Sequence, residues 1–221
     1  MMTVNILSSA PLVHALSRLG IRQGFSAGTP TSPDDAPEWS MKTLSGRMVE
    51  ISCDTAGASL TAATALVLEA QDNAEPAAWI EAGGSGFYPP DVAASGVDLD
   101  GLIVVRADTT PKAARAADHL LRSGGFGLVV LDLSHDANLA MSVQSRLSGL
   151  ANAHRCAVVC MTRKKNDALS IGSLVSIRGE SSVEKQSFDH FAWEIHVIKD
   201  KRRGPGWFHA GTCRGPEGLH N

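Results

Sequence analysis

The stretch that decides the fold runs from Ala78 to Ser134, AWIEAGGSGFYPPDVAASGVDLDGLIVVRADTTPKAARAADHLLRSGGFGLVVLDLS. It opens on AWIEA (Ala78–Ala82), a short apolar run suited to a strand, and LIVVRA (Leu102–Ala107) supplies a second. Ala113, Ala116, Ala117, Leu120 and Leu121 then recur at helical spacing until Ser123-Gly124-Gly125 gives a stop. LVVLDL (Leu128–Leu133) closes the stretch with almost no polar interruption, as expected of a strand covered on both faces. Strand–helix alternation of this kind implies a mainly parallel α/β sheet, flanked by helices and built with right-handed crossovers.

The alternation continues on both sides. Arg47–Ser52 (RMVEIS) reads as a strand, and Leu60, Thr64, Val67 and Leu68 have helical spacing. Leu139, Val143, Leu147 and Leu150 make a further helix, which the reading starts near Ala137, and Cys156–Met161 (CAVVCM) makes the next strand. The tail changes character: Leu174–Arg178 and Phe191–Lys199 read as strands joined by a polar segment, with another at Gly206–Gly211. They form an antiparallel C-terminal extension. Upstream, residues 8–20 read as a short amphipathic helix with Ser9 as cap, Pro11 in the first turn and a stripe of Leu12, Val13, Leu16 and Leu19. That stripe packs in cis or docks on a partner's groove. Residues 22–38 are rich in Gly, Ser, Pro and Asp and read as a linker. The expected division is a helix in 1–21, a linker in 22–40 and a core in 41–221.

Composition excludes several function classes. The 221 residues suit one α/β domain with a small appendage, and 43% apolar content is enough for a core. A net charge of -3 confines any nucleic-acid surface to a local patch. Cys53, Cys156, Cys160 and Cys213 form no C-x-x-C, so reduced buried thiols and a cytoplasmic location are expected. No apolar run is long enough to span a bilayer, so no membrane contact is expected. His14, His119 and His154 have no partner at metal spacing, which leaves no metal site. Ser134 and His135 follow Asp132, but no G-x-S-x-G elbow supports a hydrolase.

In open parallel sheets ligands bind beyond the carboxyl ends of the strands. The first such end leads from Ser52 into CDTAGASLT (Cys53–Thr61), where a nucleotide-binding protein carries G-x-x-x-x-G-K-[ST]. Here Cys53 stands at the first Gly, followed by Asp54, with Ala58 at the second Gly, Ser59 at the Lys and Leu60 at the metal-holding hydroxyl. A helix N-terminus alone offers an anion only about 0.3–2 kcal/mol. The plainer reading is a strand-to-helix turn capped by Asp54, Thr55 or Ser59.

From Gly46 onward the chain resembles the RecA core. GRMVEIS resembles its start, and the opening stretch resembles the segment from the catalytic strand to the acidic end of the Walker B strand. That segment includes the G-V-D-x-D-x-L turn (Gly96–Leu102) and the L-x-R-S-G hinge (Leu120–Gly124). IHVIKDKRRGPGW resembles the RecA V-V-K-N-K hairpin, so the resemblance covers residues 41–208. Among short RecA-like chains it is similar to the ImuA family, accessory proteins of bacterial DNA-damage mutagenesis. Carried over residue by residue, the resemblance puts Glu81 at RecA's Asp and Gly83 at its catalytic Glu. Asp132 survives as the Walker B aspartate, and Thr162-Arg163 fall at the nucleotide-sensing Asn-Gln pair. It thus implies a pseudo-ATPase with no catalytic residue and no cofactor.

The resemblance also locates the DNA-binding loops. The first is reduced to Ser134, His135 and Asp136, and the second to TRKKNDALSIGS (Thr162–Ser173). Arg163, Lys164 and Lys165 make the second loop basic, with no aromatic to stack bases, so it also reads as a solvated turn. A second basic cluster is Lys199, Lys201, Arg202 and Arg203. It reads as a solvated hairpin tip, as a weak salt-sensitive DNA contact, or, by resemblance, as the two RecA lysines that reach a neighbour's ATP across the filament interface. The expectation is therefore an inactive accessory protein of the SOS response and translesion mutagenesis. It would bind RecA and inhibit strand exchange, or bind an ImuB-type Y-family polymerase-like protein and an error-prone replicative-type polymerase subunit. The alternatives are a single-stranded DNA-binding module and a residual nucleotide-binding regulator.

Overall fold

The structure, a computed structural model, describes residues 37–54, 57–83, 86–133, 137–164 and 168–215. The expected N-terminal helix with Leu12, Leu16 and Leu19 lies outside them, as do most of the linker, Ser134–Asp136 and Lys165.

In chain order the elements are α1 (Met41–Leu44), β1 (Met48–Cys53), α2 (Ser59–Asp72), β2 (Ala77–Ala82), α3 (Pro89–Ala94), β3 (Leu102–Ala107) and α4 (Thr110–Ser123). They continue with β4 (Leu128–Asp132), α5 (Met141–His154), β5 (Ala157–Arg163), β6 (Ile177–Lys185), β7 (His190–Asp200) and β8 (Trp207–Arg214). The eight strands form one sheet in the order β3-β2-β4-β5-β1-β6-β7-β8. The first six run parallel and the last three alternate in direction. This is the expected α/β architecture with an antiparallel C-terminal extension.

Apolar residues alternate between two cores. Val49, Ile51, Trp79, Val130 and Val159 pack on one face with α1 and α2, while Met48, Ile80, Leu131, Val158 and Cys160 pack on the other with α4 and α5. The central strands are mostly apolar because both faces are covered, with Glu50, Glu81 and Asp132 among the buried exceptions. Burial lifts the Cys156 thiol to about 12, with the Glu75 charge adding to it. Cys53 and Cys213 are only partly buried, against the expectation of four buried thiols, and all four cysteines are free. Trp39, ahead of the expected core boundary, is buried in the α1–α2 core.

Several readings shift. Strand β6 starts at Ile177 and runs on through the segment read as a polar connection, because β1 on one side and β7 on the other engage its backbone. Strand β3 is apolar yet lies at the sheet edge, so Ile103 and Val104 are 47% and 38% exposed. Helix α2 buries Ala62, Ala63, Leu66, Val67 and Ala70, whereas Leu60 faces outward. Helix α5 begins at Met141, so the connection after β4 is longer than the three residues expected, with Ala137 and Leu139 buried beneath it. Among the described residues no helix is long and apolar enough to cross a membrane.

At the amino end of β1, Arg47 Nη2 meets Asp200 Oδ1 at 2.6 Å, with both side chains buried. Burial pushes the Asp200 carboxyl up, but hydrogen bonds from Arg47 and from the backbone at Arg202 and Arg203, with the Arg47 charge, hold it below the ordinary carboxylate range. This pair ties the start of the parallel sheet to the end of β7. Breaking a buried pair from one side strands the other charge, so Arg47→Met should lower stability by about 3–5 kcal/mol. Urea unfolding checks this. The depressed Asp200 pKa means the pair's contribution is present above the ordinary aspartate pKa and fades as pH falls through the lower folded value, so wild type and variant should converge in acid.

Candidate functional site

The carboxyl ends of β1, β2, β4 and β5 lie side by side, and residues 54–58 connect β1 to α2 there. The described end of that turn, Gly57 to Ser59, packs onto the sheet. The Ser59 hydroxyl points to β6 and lies 2.8 Å from the Ser181 hydroxyl, both buried. A Cβ on Gly57 would overlap the Cys53 side chain and sit 2.9 Å from the Ser181 carbonyl oxygen, so the turn packs tightly against β1 and β6. Ala58 is the N-cap of α2, where a cap from Asp54 or Ser59 was expected, and Thr55 lies outside the described residues. Leu60 is 38% exposed, and a Cβ on Gly86 would lie 3.2 Å from its Cδ1.

Glu81 and Asp132 stand in register on β2 and β4. Each lies two residues beyond an α2-facing core residue, Trp79 and Val130, so both carboxylates point to the α2 side. They are 7% and 6% exposed, and Arg106 on β3 approaches Glu81 at 3.4 Å. Gly83 follows with φ +78°, its N–H donating to the Ala107 carbonyl at 2.9 Å. A cavity of about 420 Å³ opens here, lined by Glu81, Gly83, Arg106, Ala107 and Asp108. Among the described residues no group of three acidic, His or Cys side chains could hold a metal ion.

The next strand end is occupied by a contact that the sequence reading missed. Glu50, in the centre of β1, is buried and accepts hydrogen bonds from the Thr162 hydroxyl at 2.9 Å, the Ser170 hydroxyl at 2.6 Å and the Ile171 N–H at 3.0 Å. Lys164 Nζ lies 3.4 Å from the same carboxylate. Thr162 therefore points away from the Asp132 side. Lys164, expected in a solvated basic loop, turns inward with 13% of its side chain exposed, while Arg163 stays exposed. The signal for Glu50 was a lone charge inside MVEIS, since a charge in a buried strand needs partners. No sequence signal pointed to Ser181.

The second basic cluster sits at the opposite end of the sheet. Strand β6 runs parallel to β1 and β7 returns antiparallel, so Lys199 pairs with Arg178 and Asp200 with Ile177, near the amino end of β1. Burial lowers the Lys199 pKa, with Lys201 and Arg178 adding to the shift and Glu50 opposing it. Lys201 is exposed and donates to the Ser173 carbonyl at 2.7 Å, and Arg202 and Arg203 are exposed in the turn. The expected partner residues are thus separated, with Arg163 at one end of the sheet and Lys199–Arg203 at the other.

A mainly parallel sheet with helices on both faces and strand–turn–helix units at its carboxyl edge defines the class of doubly wound α/β folds. Within that class the profile of the RecA N-terminal domain matches residues 41–162, and the chain belongs to that family. It is 30% identical over 133 residues to Protein RecA of Clostridium novyi, covering 52% of this chain and 38% of that protein. With Protein RecA of Kineococcus radiotolerans it shares 40% identity over 88 residues, or 39% and 25% of the two chains. With Protein RecA of Corynebacterium urealyticum it shares 39% over 87 residues, or 39% and 23%. The chain thus spans well under half the length of the curated relatives it matches.

Left-handed backbone at Gly83 bars an easy return of a side chain there. Gly83→Glu should cost about 1–2 kcal/mol, the penalty of a non-glycine residue in that region, and should yield no Mg-ATP turnover. Denaturant midpoints and a phosphate-release assay read the two outcomes.

Proposed function

We propose that this chain is an ImuA-type, RecA-shaped accessory protein that does not hydrolyse ATP and acts in damage-induced mutagenesis through protein partners. The observation that carries this reading is the turn after β1. Ser59 stands where a phosphate loop has its lysine, and its hydroxyl is engaged with Ser181, facing into the sheet. Asp132 remains at the end of β4 with no lysine beside it in the turn to neutralise phosphate charge. Lys199 and Lys201, at the far end of the sheet, support retention of the face that a RecA protomer turns toward its neighbour's nucleotide. A molecule with that face and a closed phosphate turn engages one RecA protomer and offers the next nothing to grip, so filament growth or strand exchange stops. An ImuB-type protein and an error-prone polymerase subunit are the further partners of this reading.

Two readings compete. Single-stranded DNA binding draws on Arg163, Arg202 and Arg203, yet these lie at opposite ends of the sheet and Lys164 is engaged with Glu50. Residual nucleotide binding rests on Asp132 and the helix start after Cys53, where the Ser59 hydroxyl is engaged with Ser181.

The chain should be pulled down by RecA and should inhibit strand exchange at micromolar protein, and Lys199→Ala with Lys201→Ala should weaken binding at least about tenfold. Absence of both binding and inhibition sinks the proposal. Mg-ATP affinity should be weaker than about 100 μM, and tighter binding would favour the nucleotide reading. Binding to single-stranded DNA that falls steeply across a salt series would favour the DNA reading.

A further inference from the structure

We infer that residues 168–176 form a strap clamped onto the sheet by Glu50, and that this strap braces the basic turn at residues 200–206 in one position without any nucleotide. The segment occupies the place of the second loop, where a free solvated turn was expected. Its first anchor is the buried Glu50 carboxylate, which takes the Ser170 hydroxyl and the Ile171 N–H. Arg178, next to Glu50 in register, donates from Nη1 to the Ala168 carbonyl. The remaining Arg178 Nε and Nη2 are buried without a hydrogen-bond partner among the described residues, and Glu180 is 4.0 Å away. The guanidinium thus joins the strap through Ala168 and pairs with Glu180 on its own strand.

The second anchor is steric. Gly172 lies so close to α5 that a Cβ there would overlap the Gln144 side chain. Gln144 Oε1 accepts from the Leu174 N–H at 3.3 Å, and its amide nitrogen donates to the Leu139 carbonyl. The buried Ile171 and Val175 fill the same core as α5.

The far end of the strap meets the basic turn. Ser176 donates its N–H to Met48 O at 2.8 Å and accepts Arg47 Nε on its hydroxyl at 3.0 Å, and Arg47 in turn holds Asp200. Lys201 donates its backbone N–H to Ser176 O at 2.9 Å and its ammonium to Ser173 O at 2.7 Å. A continuous path of hydrogen bonds and packed side chains therefore runs from Glu50 to the turn that carries Lys201, Arg202 and Arg203. Glu50 acts on that turn through the strap and is a positioning residue.

Amide hydrogen exchange on the full chain tests this without any partner, so its outcome is separate from that of RecA binding. Glu50→Ala should speed exchange at least about tenfold in peptides covering 168–176 and 200–206, with β4 unchanged. Gly172→Ala keeps every charge in place, should give the same pattern, and decides the matter if Glu50→Ala does not fold. Faster exchange in 168–176 with none in 200–206 refutes the brace, and no change in 168–176 refutes the clamp. Wild-type exchange in both peptides should be indifferent to Mg-ATP; a response to nucleotide overturns the inference.

Discussion

A single buried carboxylate organises the middle of this molecule. Glu50 sits in β1 between β5 and β6, where an unpaired ion costs several kcal/mol. The surrounding chain is arranged to meet that cost: a hydroxyl from β5, a hydroxyl and an N–H from the strap, and an ammonium from Lys164. Sheet register sets Cys160, Glu50, Arg178 and Lys199 in one row. Burial pushes the Cys160 thiol well up, and the Glu50 charge adds to that shift. Arg178 and Lys199 carry the opposite sign, so the carboxylate also offsets their mutual repulsion. Thr162 and residues 168–171 are both drawn into this arrangement, on the sheet face opposite to Asp132.

The two ends of the sheet have separate chemistries. At the carboxyl end the turn after β1 packs on β6, Glu81 is met by Arg106, and Gly83 turns the chain in a left-handed conformation. Among the described residues, Glu81, Gly83 and Arg106 line a cavity there. At the amino end the Arg47–Asp200 pair holds the β7–β8 turn against β1, and the strap supports it from below. Cations there remain exposed on a rigid base. Rigid presentation of charge favours recognition by lowering the ordering cost of binding. It is in keeping with a protein that works by contact.

The alternation of apolar runs and helical stripes between Ala78 and Ser134 was enough to establish a mainly parallel α/β sheet, because buried parallel strands must be apolar throughout. The same residues carried the RecA resemblance, which the family match over 41–162 bears out. Boundaries held to within a residue or two for β1 to β4, where apolar content and strand coincide. They failed for β6, whose polar residues Ser181–Lys185 become a strand because β7 pairs with them. Strand β3 keeps its expected bounds, and only the strand order shows that it lies at the sheet edge with Ile103 and Val104 exposed.

For the site, the sequence by itself determined which residue types stand at the strand ends: Ser59 and Leu60 after β1, Gly83 after β2 and Asp132 at the end of β4. Residue identity at a motif position is local information and needs no fold. Tertiary structure alone decided where those side chains go. Ser59 faces Ser181, 122 residues away in sequence. Lys164 abandons the solvent for Glu50, and Lys201 rests on a strap that reads as an open loop. Such contacts are set by the strand order β5-β1-β6-β7, which joins distant segments through backbone pairing and leaves no periodic trace in the chain.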